Sequence, residues 1–292
     1  MEPDAARSAA REARLLLEVK PNEALDVDDA DTWTAVAMNT SGRRLPLFLV
    51  HTWKHEAQHL QHLARGLGED QPLYAISPPR GEWPHDYPRT ADDWAAFCLP
   101  VLHQLRPEGP IVVGGWSFGG IVALSLAERI AAAGRDVRHV FFFDSRLPKQ
   151  HPRNERGMFR HGLHHLETAL GLPRGQRLPY LRTTLASLRD HQKKTRVRHE
   201  RERRGEGPAP LQMAVTTSYL KYEPFPSELP VSLFWTAESY EQVGRDLTLG
   251  WGAHLRGPFE SRATPGTHMT ILCPPNVASL TEVLRAALDG LQ

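Results

Sequence analysis

The amino-acid sequence predicts an α/β protein built on a mostly parallel, doubly wound sheet. Three observations lead there. Short apolar β-type runs alternate with helical patterns along most of the chain, a β-branched run turns abruptly into an apolar helix at GGWSFGG, and a single long basic segment interrupts the alternation.

Taken in order, strands are expected at TAVAM (34–38), LPLFLV (45–50), LYAIS (73–77), PIVVGG (110–115), HVFFF (139–143), VSLFW (231–235) and finally 259–264. Each is short and rich in the side chains that pack on a pleated surface. Helices are expected between them at 56–66, 91–105 and 119–133, and at the end of the chain at 275–290. In the first of these, Leu60, Leu63, Ala64 and Leu67 fall within one arc of about 100° on a helical wheel, which marks the core face.

Composition excludes several classes. A chain of 292 residues, 40% of them hydrophobic, is long enough to bury a substantial core in one large α/β domain or two small ones. Thirty-five Lys and Arg against 34 Asp and Glu give no global bias towards nucleic acid or acidic lipid. Two cysteines, Cys98 and Cys273, make neither a disulfide framework nor a zinc ribbon. The N-terminal residues lack the pattern of a signal peptide, and no segment approaches the roughly 20 apolar residues that span a bilayer. A cytoplasmic protein that binds neither membrane nor nucleic acid is expected.

The interruption lies at 149–204. It carries 15 Lys and Arg against 5 Asp and Glu, a net +10, so the rest of the chain sums to −9 within a total of +1. It reads as an inserted, mainly helical subdomain with helical pieces at 163–172 and 181–194. Its charge is either a solvated face or a surface for an anionic partner. Residues 1–32 are either a linker or packing arm or a disordered tail.

The sharpest chemical signal is the stretch Gly115-Trp116-Ser117-Phe118-Gly119-Gly120, preceded by the strand and followed at once by the helix. This is the context of a G-x-S-x-G nucleophile elbow: the serine sits in a strained turn, and side chains at 115 and 119 would collide with the neighbouring strand and helix. Ser117 is thereby offered at a helix N-terminus, where the Phe118 N–H serves as an oxyanion donor. Serine needs a base and an orienting acid, and the order after such an elbow is acid, then histidine. Asp144 ends the strand HVFFF at the sheet edge from which Ser117 emerges, with Glu238 and Glu241 as reserve acids. Among 15 histidines, His268 lies in a short Pro/Gly-bearing loop between the last strand and the last helix, where a catalytic base fits.

A competing motif is HEAQH at His55–His59, which fits the zinc-protease pattern HExxH. The longer metal-binding pattern fails because His62 stands where a glycine belongs, and His55, His59 and His62 cluster within about 60° opposite the core face, towards solvent or the active-site mouth. A zinc hydrolase is therefore disfavoured, and neither a metal nor another cofactor is expected.

The run RPEGPIVVGGWSFGGIVALSLAERIAAAGRDVRHVFFFDSRLP resembles the thioesterase domains that release products from nonribosomal peptide and polyketide assembly lines. The resemblance extends upstream through PLFLVH and PLYAISPPRG and downstream through VSLFW to PGTHMTIL, roughly residues 45–285. It implies an α/β-hydrolase fold with a helical lid inserted after the strand bearing the acid. The core would then be 33–148 with 226–292, and the lid 149–225. It also implies Ser117 as nucleophile, Asp144 as orienting acid, His268 as general base and the Phe118 N–H as oxyanion donor.

In that family the second oxyanion donor comes from a loop that reads His-Pro-Ala-Gly-Gly, whereas here the place reads His51-Thr52-Trp53-Lys54-His55. The backbone of Trp53, or of Thr52, is left to supply it, and Trp53 is expected to narrow the acyl entrance. Trp53, His55 and Trp116 are the expected substrate contacts. A carrier protein bearing the acyl chain on its phosphopantetheine arm is the implied partner. The function implied is a serine thioesterase acting by hydrolysis or cyclisation; a free-standing carboxylesterase of the same fold and an acyl-transferring or non-hydrolytic relative are the alternatives.

Overall fold

The apolar runs become a seven-stranded sheet in the computed structural model, which describes residues 34–52, 57–78, 87–148 and 210–292. In chain order the strands are β1 (Thr34–Met38), β2 (Leu47–Val50), β3 (Leu73–Ser77), β4 (Ile111–Trp116), β5 (Val137–Phe143), β6 (Val231–Thr236) and β7 (Phe259–Thr264). In space they run β1-β3-β2-β4-β5-β6-β7. β1 pairs antiparallel to β3 and every other neighbouring pair is parallel. All residues of β2 and β4 are buried, which is why those strands read as unbroken apolar runs rather than alternating ones. At the far edge, β7 breaks that pattern with exposed Glu260 and Arg262, charges that discourage further strand pairing.

The helices among the described residues are α1 (Ala57–Leu67), α2 (Ala91–Leu105), α3 (Phe118–Ala132), α4 (Pro210–Leu220), α5 (Ala237–Gln242) and α6 (Asn276–Asp289). α1 buries Leu60, Leu63, Ala64 and Leu67, the arc expected from the sequence. These side chains join Leu280, Leu284 and Leu288 of α6 over a sheet face made by Leu47, Leu49, Val112, Phe141 and Phe143. α2 starts at a reciprocal cap: Asp93 N–H donates to Thr90 Oγ1 at 3.1 Å and Thr90 N–H donates to the Asp93 carboxylate at 3.0 Å. α2 packs beside α3, and Arg129 of α3 forms an ion pair with Asp92.

Two features differ from the sequence reading. Residues 214–292 form one compact unit with the described residues of the sheet before 149. Residues 214–225, which the sequence reading assigns to the insertion, therefore belong with the sheet. The reason is polar as well as apolar: Ser218 of α4 accepts from Trp94 Nε1 at 3.0 Å and donates to the Pro88 carbonyl at 3.2 Å. α5 is the second difference, a six-residue helix with no apolar periodicity, started by Thr236, whose Oγ1 accepts from Ser239 N–H at 3.3 Å. The arm 1–32 and the helical pieces expected at 163–172 and 181–194 lie outside the described residues. Among the described residues no helix is long and apolar enough to cross a membrane.

Candidate active site

β4 ends at Trp116, and Ser117 follows with φ 56° and ψ −124°, a left-handed conformation strained for any residue with a Cβ. α3 begins at the next residue, so Ser117 stands at the N-terminus of a 15-residue helix. The turn is held to the next strand by the Ser117 N–H, which donates to the Phe143 carbonyl at 2.9 Å. Both motif glycines are required by close approach. A Cβ on Gly115 would lie 2.2 Å from the Gly119 carbonyl carbon, and one on Gly119 would lie 2.3 Å from the Val50 oxygen. The second approach seats the first turn of α3 against the end of β2, beside His51 and Thr52. Gly120, which the motif does not specify, is equally constrained, since its Cβ would meet Ser145 Oγ at 2.1 Å.

Asp144 follows β5 directly, and its φ of 51° turns the chain out of the sheet. Its N–H donates to the Phe234 carbonyl at 2.7 Å, and its side chain is fully buried. A buried carboxylate needs donors to replace water. Oδ1 accepts from Thr236 N–H at 2.9 Å and Thr236 Oγ1 at 3.2 Å; Oδ2 accepts from Ser239 Oγ at 2.5 Å. His268 completes the set, with Nδ1 2.7 Å from Asp144 Oδ2. A carboxylate can only accept, so the proton of this bond belongs to Nδ1, and Nε2 of the neutral ring is left as the basic nitrogen.

The His268 main chain is gripped at both ends. Its N–H donates to Glu238 Oε2 at 2.9 Å, and its carbonyl accepts from Trp116 Nε1 at 2.9 Å. The Trp116 and His268 rings lie 5.0 Å apart at 30°. Around the histidine, Thr267 N–H donates to Thr270 Oγ1 at 2.9 Å and Asn276 Nδ2 donates to the Thr270 carbonyl at 3.1 Å, which closes the loop onto α6.

The structure thus unites Asp144 and His268 by a hydrogen bond, while Ser117 follows Trp116, whose indole holds the His268 carbonyl, and is bonded through its own backbone N–H to the residue before Asp144. Phe118 opens α3, where its N–H has no acceptor within the helix. Its buried ring packs edge-on against Trp94 and Tyr219, with centroids 6.0 and 6.4 Å away. Trp116 lines a cavity with His51, Leu60, His268, Met269 and Cys273 among others. Of the reserve acids, Glu241 pairs with Arg245 at 3.2 Å, whereas Glu238 holds the histidine loop.

Trp53 and His55, the expected oxyanion and substrate residues of the β2 loop, lie outside the described residues, as does Glu56 of the HExxH pattern. Thr52 is buried, and its hydroxyl finds no hydrogen-bond partner among the described residues. Among the described residues no three His, Cys, Asp or Glu are grouped to hold a metal ion. Cys98 is wholly buried in α2, which pushes its thiol far up from its usual range. Of the supporting residues, Glu238 enters the sequence reading only as a reserve acid, and Thr236 and Ser239 match no catalytic motif. Their one visible signal is a T-x-x-S sequence placed directly after a strand, which is a helix-cap pattern.

A thioesterase domain family model matches residues 45–288. Among curated relatives, the non-reducing polyketide synthase ntnG of Nectria sp. is 25% identical over 265 residues, covering 87% of this chain and 13% of that protein. The atromentin synthetase invA5 of Paxillus involutus is 29% identical over 103 residues, 35% of this chain and 11% of its own length. The chain spans about an eighth of the length of each of these proteins or less. Among solved structures, the NocB thioesterase domain in covalent complex with a fluorophosphonate nocardicin G analog superposes with TM-score 0.58 at 23% identity, over 87% of this chain and 99% of that one. The SrfTE thioesterase domain, studied for cyclisation of the lipopeptide surfactin, superposes with TM-score 0.52 at 14% identity, over 87% and 95%. At these identities the structures establish the α/β-hydrolase fold, and the match across residues 45–288 establishes that the chain belongs to the thioesterase domain family.

Proposed function

We propose that this chain is a serine thioesterase that releases an acyl, polyketide or peptide chain from the phosphopantetheine arm of a carrier protein through an acyl-serine intermediate. The observation that carries the reading is the 2.7 Å bond from His268 Nδ1 to the fully buried Asp144, at the strand ends where Ser117 leaves β4.

His268 Nε2 takes the Ser117 proton as Oγ attacks the thioester carbonyl, and Asp144 stabilises the imidazolium that forms. Negative charge on the tetrahedral oxygen collects against the Phe118 N–H and a second donor from the loop after β2. One such donor is worth about 3–4 kcal/mol of transition-state stabilisation. The C–S bond breaks, the imidazolium returns its proton to the departing thiolate, and the acyl group remains on Ser117. A second nucleophile, either water or a hydroxyl or amine of the acyl chain, then gives up its proton to His268 as it attacks the acyl carbonyl; the C–O bond to Ser117 breaks, His268 returns the proton to Oγ, and an acid, a lactone or a lactam leaves. The family match and the relatives' size support a carrier-bound substrate.

A serine-directed fluorophosphonate followed by mass spectrometry tests the nucleophile: the adduct is expected on Ser117 and absent in Ser117→Ala. An unlabelled wild type, under conditions where a control hydrolase reacts, overturns the reading. Turnover of carrier-bound and free acyl thioesters then tests the substrate class. Equal rates on both favour a carboxylesterase, and Ser117→Ala turnover that a chelator abolishes favours a zinc enzyme.

A further inference from the structure

The first turn of α5 touches both members of the acid–base pair, and each side chain does so differently. Thr236 and Ser239 donate to the Asp144 carboxylate. Glu238, between them, reaches the other partner: its Oε2 accepts the His268 backbone N–H at 2.9 Å, thirty residues along the chain. The carboxylate is itself held, because Gln242 Nε2 donates to its Oε1 at 3.3 Å while Gln242 Oε1 accepts from Arg146, two residues beyond Asp144. Hydrogen bonds thus run from Arg146 through Gln242, Glu238 and His268 to Asp144, and the two-residue stretch of chain from Asp144 to Arg146 closes the ring.

We propose that Glu238 is a positioning residue for His268. The histidine sits in a loop with no strand pairing of its own, so the placement of its imidazole follows from the two main-chain anchors, Glu238 on the N–H and Trp116 on the carbonyl. A carboxylate acceptor makes the first anchor charge-assisted and therefore short and strong. Glu238 touches neither substrate nor reacting atom. It sets the direction in which Nε2 points, and displacement of a reacting group by about 1 Å costs on the order of 100-fold in rate. The Gln side chain retains an acceptor oxygen in the same place, so the proposal separates geometry from charge.

The kinetic part of the test rests on the thioesterase reading; the spectroscopic part does not. Glu238→Ala, Glu238→Gln and Glu238→Asp are compared by kcat and KM on an N-acetylcysteamine acyl thioester, and by the downfield proton resonance of His268 Nδ1–H bound to Asp144. Glu238→Ala is expected to lower kcat by roughly 10- to 100-fold with KM little changed, and to broaden or abolish the downfield resonance. Glu238→Gln is expected to keep both near wild type, and Glu238→Asp, one methylene too short, to resemble Glu238→Ala. If Glu238→Ala does not fold, the Gln and Asp variants carry the comparison. An unchanged kcat and resonance in Glu238→Ala, or a loss in Glu238→Gln as large as in Glu238→Ala, overturns the proposal. A wild type without turnover or fluorophosphonate labelling refutes the thioesterase reading alone, since the resonance comparison still decides the role of Glu238.

Discussion

Trp116 and His268 meet twice: the indole Nε1–H donates to the His268 carbonyl at 2.9 Å, and the two rings stand 5.0 Å apart. The residue before the elbow serine therefore holds the loop that carries the base, 152 residues later. Trp116→Phe retains an aromatic ring but has no N–H. It is expected to lose about 1 kcal/mol of stability and to lower kcat several-fold while the fluorophosphonate still labels Ser117. Thermal denaturation and steady-state kinetics check this; full activity in the variant would show that the carbonyl bond does not place the base.

The backbone at Ser117, with φ 56° and ψ −124°, stores strain that only glycine escapes. Ser117→Gly is expected to gain roughly 1–2 kcal/mol of stability as it loses all turnover. Ser117→Ala, which keeps a Cβ, loses turnover without that gain. Urea unfolding of the two variants distinguishes strain at this turn from a general effect of removing the hydroxyl.

The four donors around Asp144 leave no room for an amide. In Asp144→Asn, one side-chain atom becomes a donor and faces either Thr236 or the Ser239–His268 pair. The imidazole then loses the acceptor that fixes its tautomer. A fall in kcat on the order of 10⁴-fold is expected, as for amide replacement of such a carboxylate elsewhere, together with a stability loss of about 1–3 kcal/mol. Kinetics and thermal denaturation of Asp144→Asn check both; near-normal turnover would remove Asp144 from the proposed mechanism.

What the sequence discloses about this site follows from how each part is encoded. β2 and β4 are buried on both faces, so they appear as apolar runs, and the strand–turn–helix at Ser117 needs glycines at contacts of 2.2 and 2.3 Å, so it appears as a motif. Asp144 and His268 are legible because both lie just beyond strand ends, on a topology that brings strand ends together. Glu238 is not legible as an anchor for His268, since a carboxylate that accepts one backbone N–H thirty residues away leaves no pattern in the chain. Nor is α5, six residues long, or the attachment of residues 214–225 to the sheet, which rests on a few contacts such as Trp94 to Ser218.

His139 supplies a pH dependence of stability remote from the site. It lies on β5, stacks on Phe141 with centroids 4.6 Å apart, and its Nε2 lies 2.8 Å from Ser232 Oγ. Burial lowers its pKa from 6.5 to about 4, only partly opposed by the charge of Glu260. Between those two values the unfolded chain binds a proton that the folded chain does not, so acidification favours unfolding there. The contribution of His139 is thus fully present above about pH 6.5 and is lost as pH falls towards 4, by about 3 kcal/mol at most. His139→Gln removes the titration and keeps a polar partner for Ser232. Urea unfolding at pH 7, 5.5 and 4.5 should show the wild type losing stability more steeply than the variant, and parallel losses would assign the acid sensitivity to other groups.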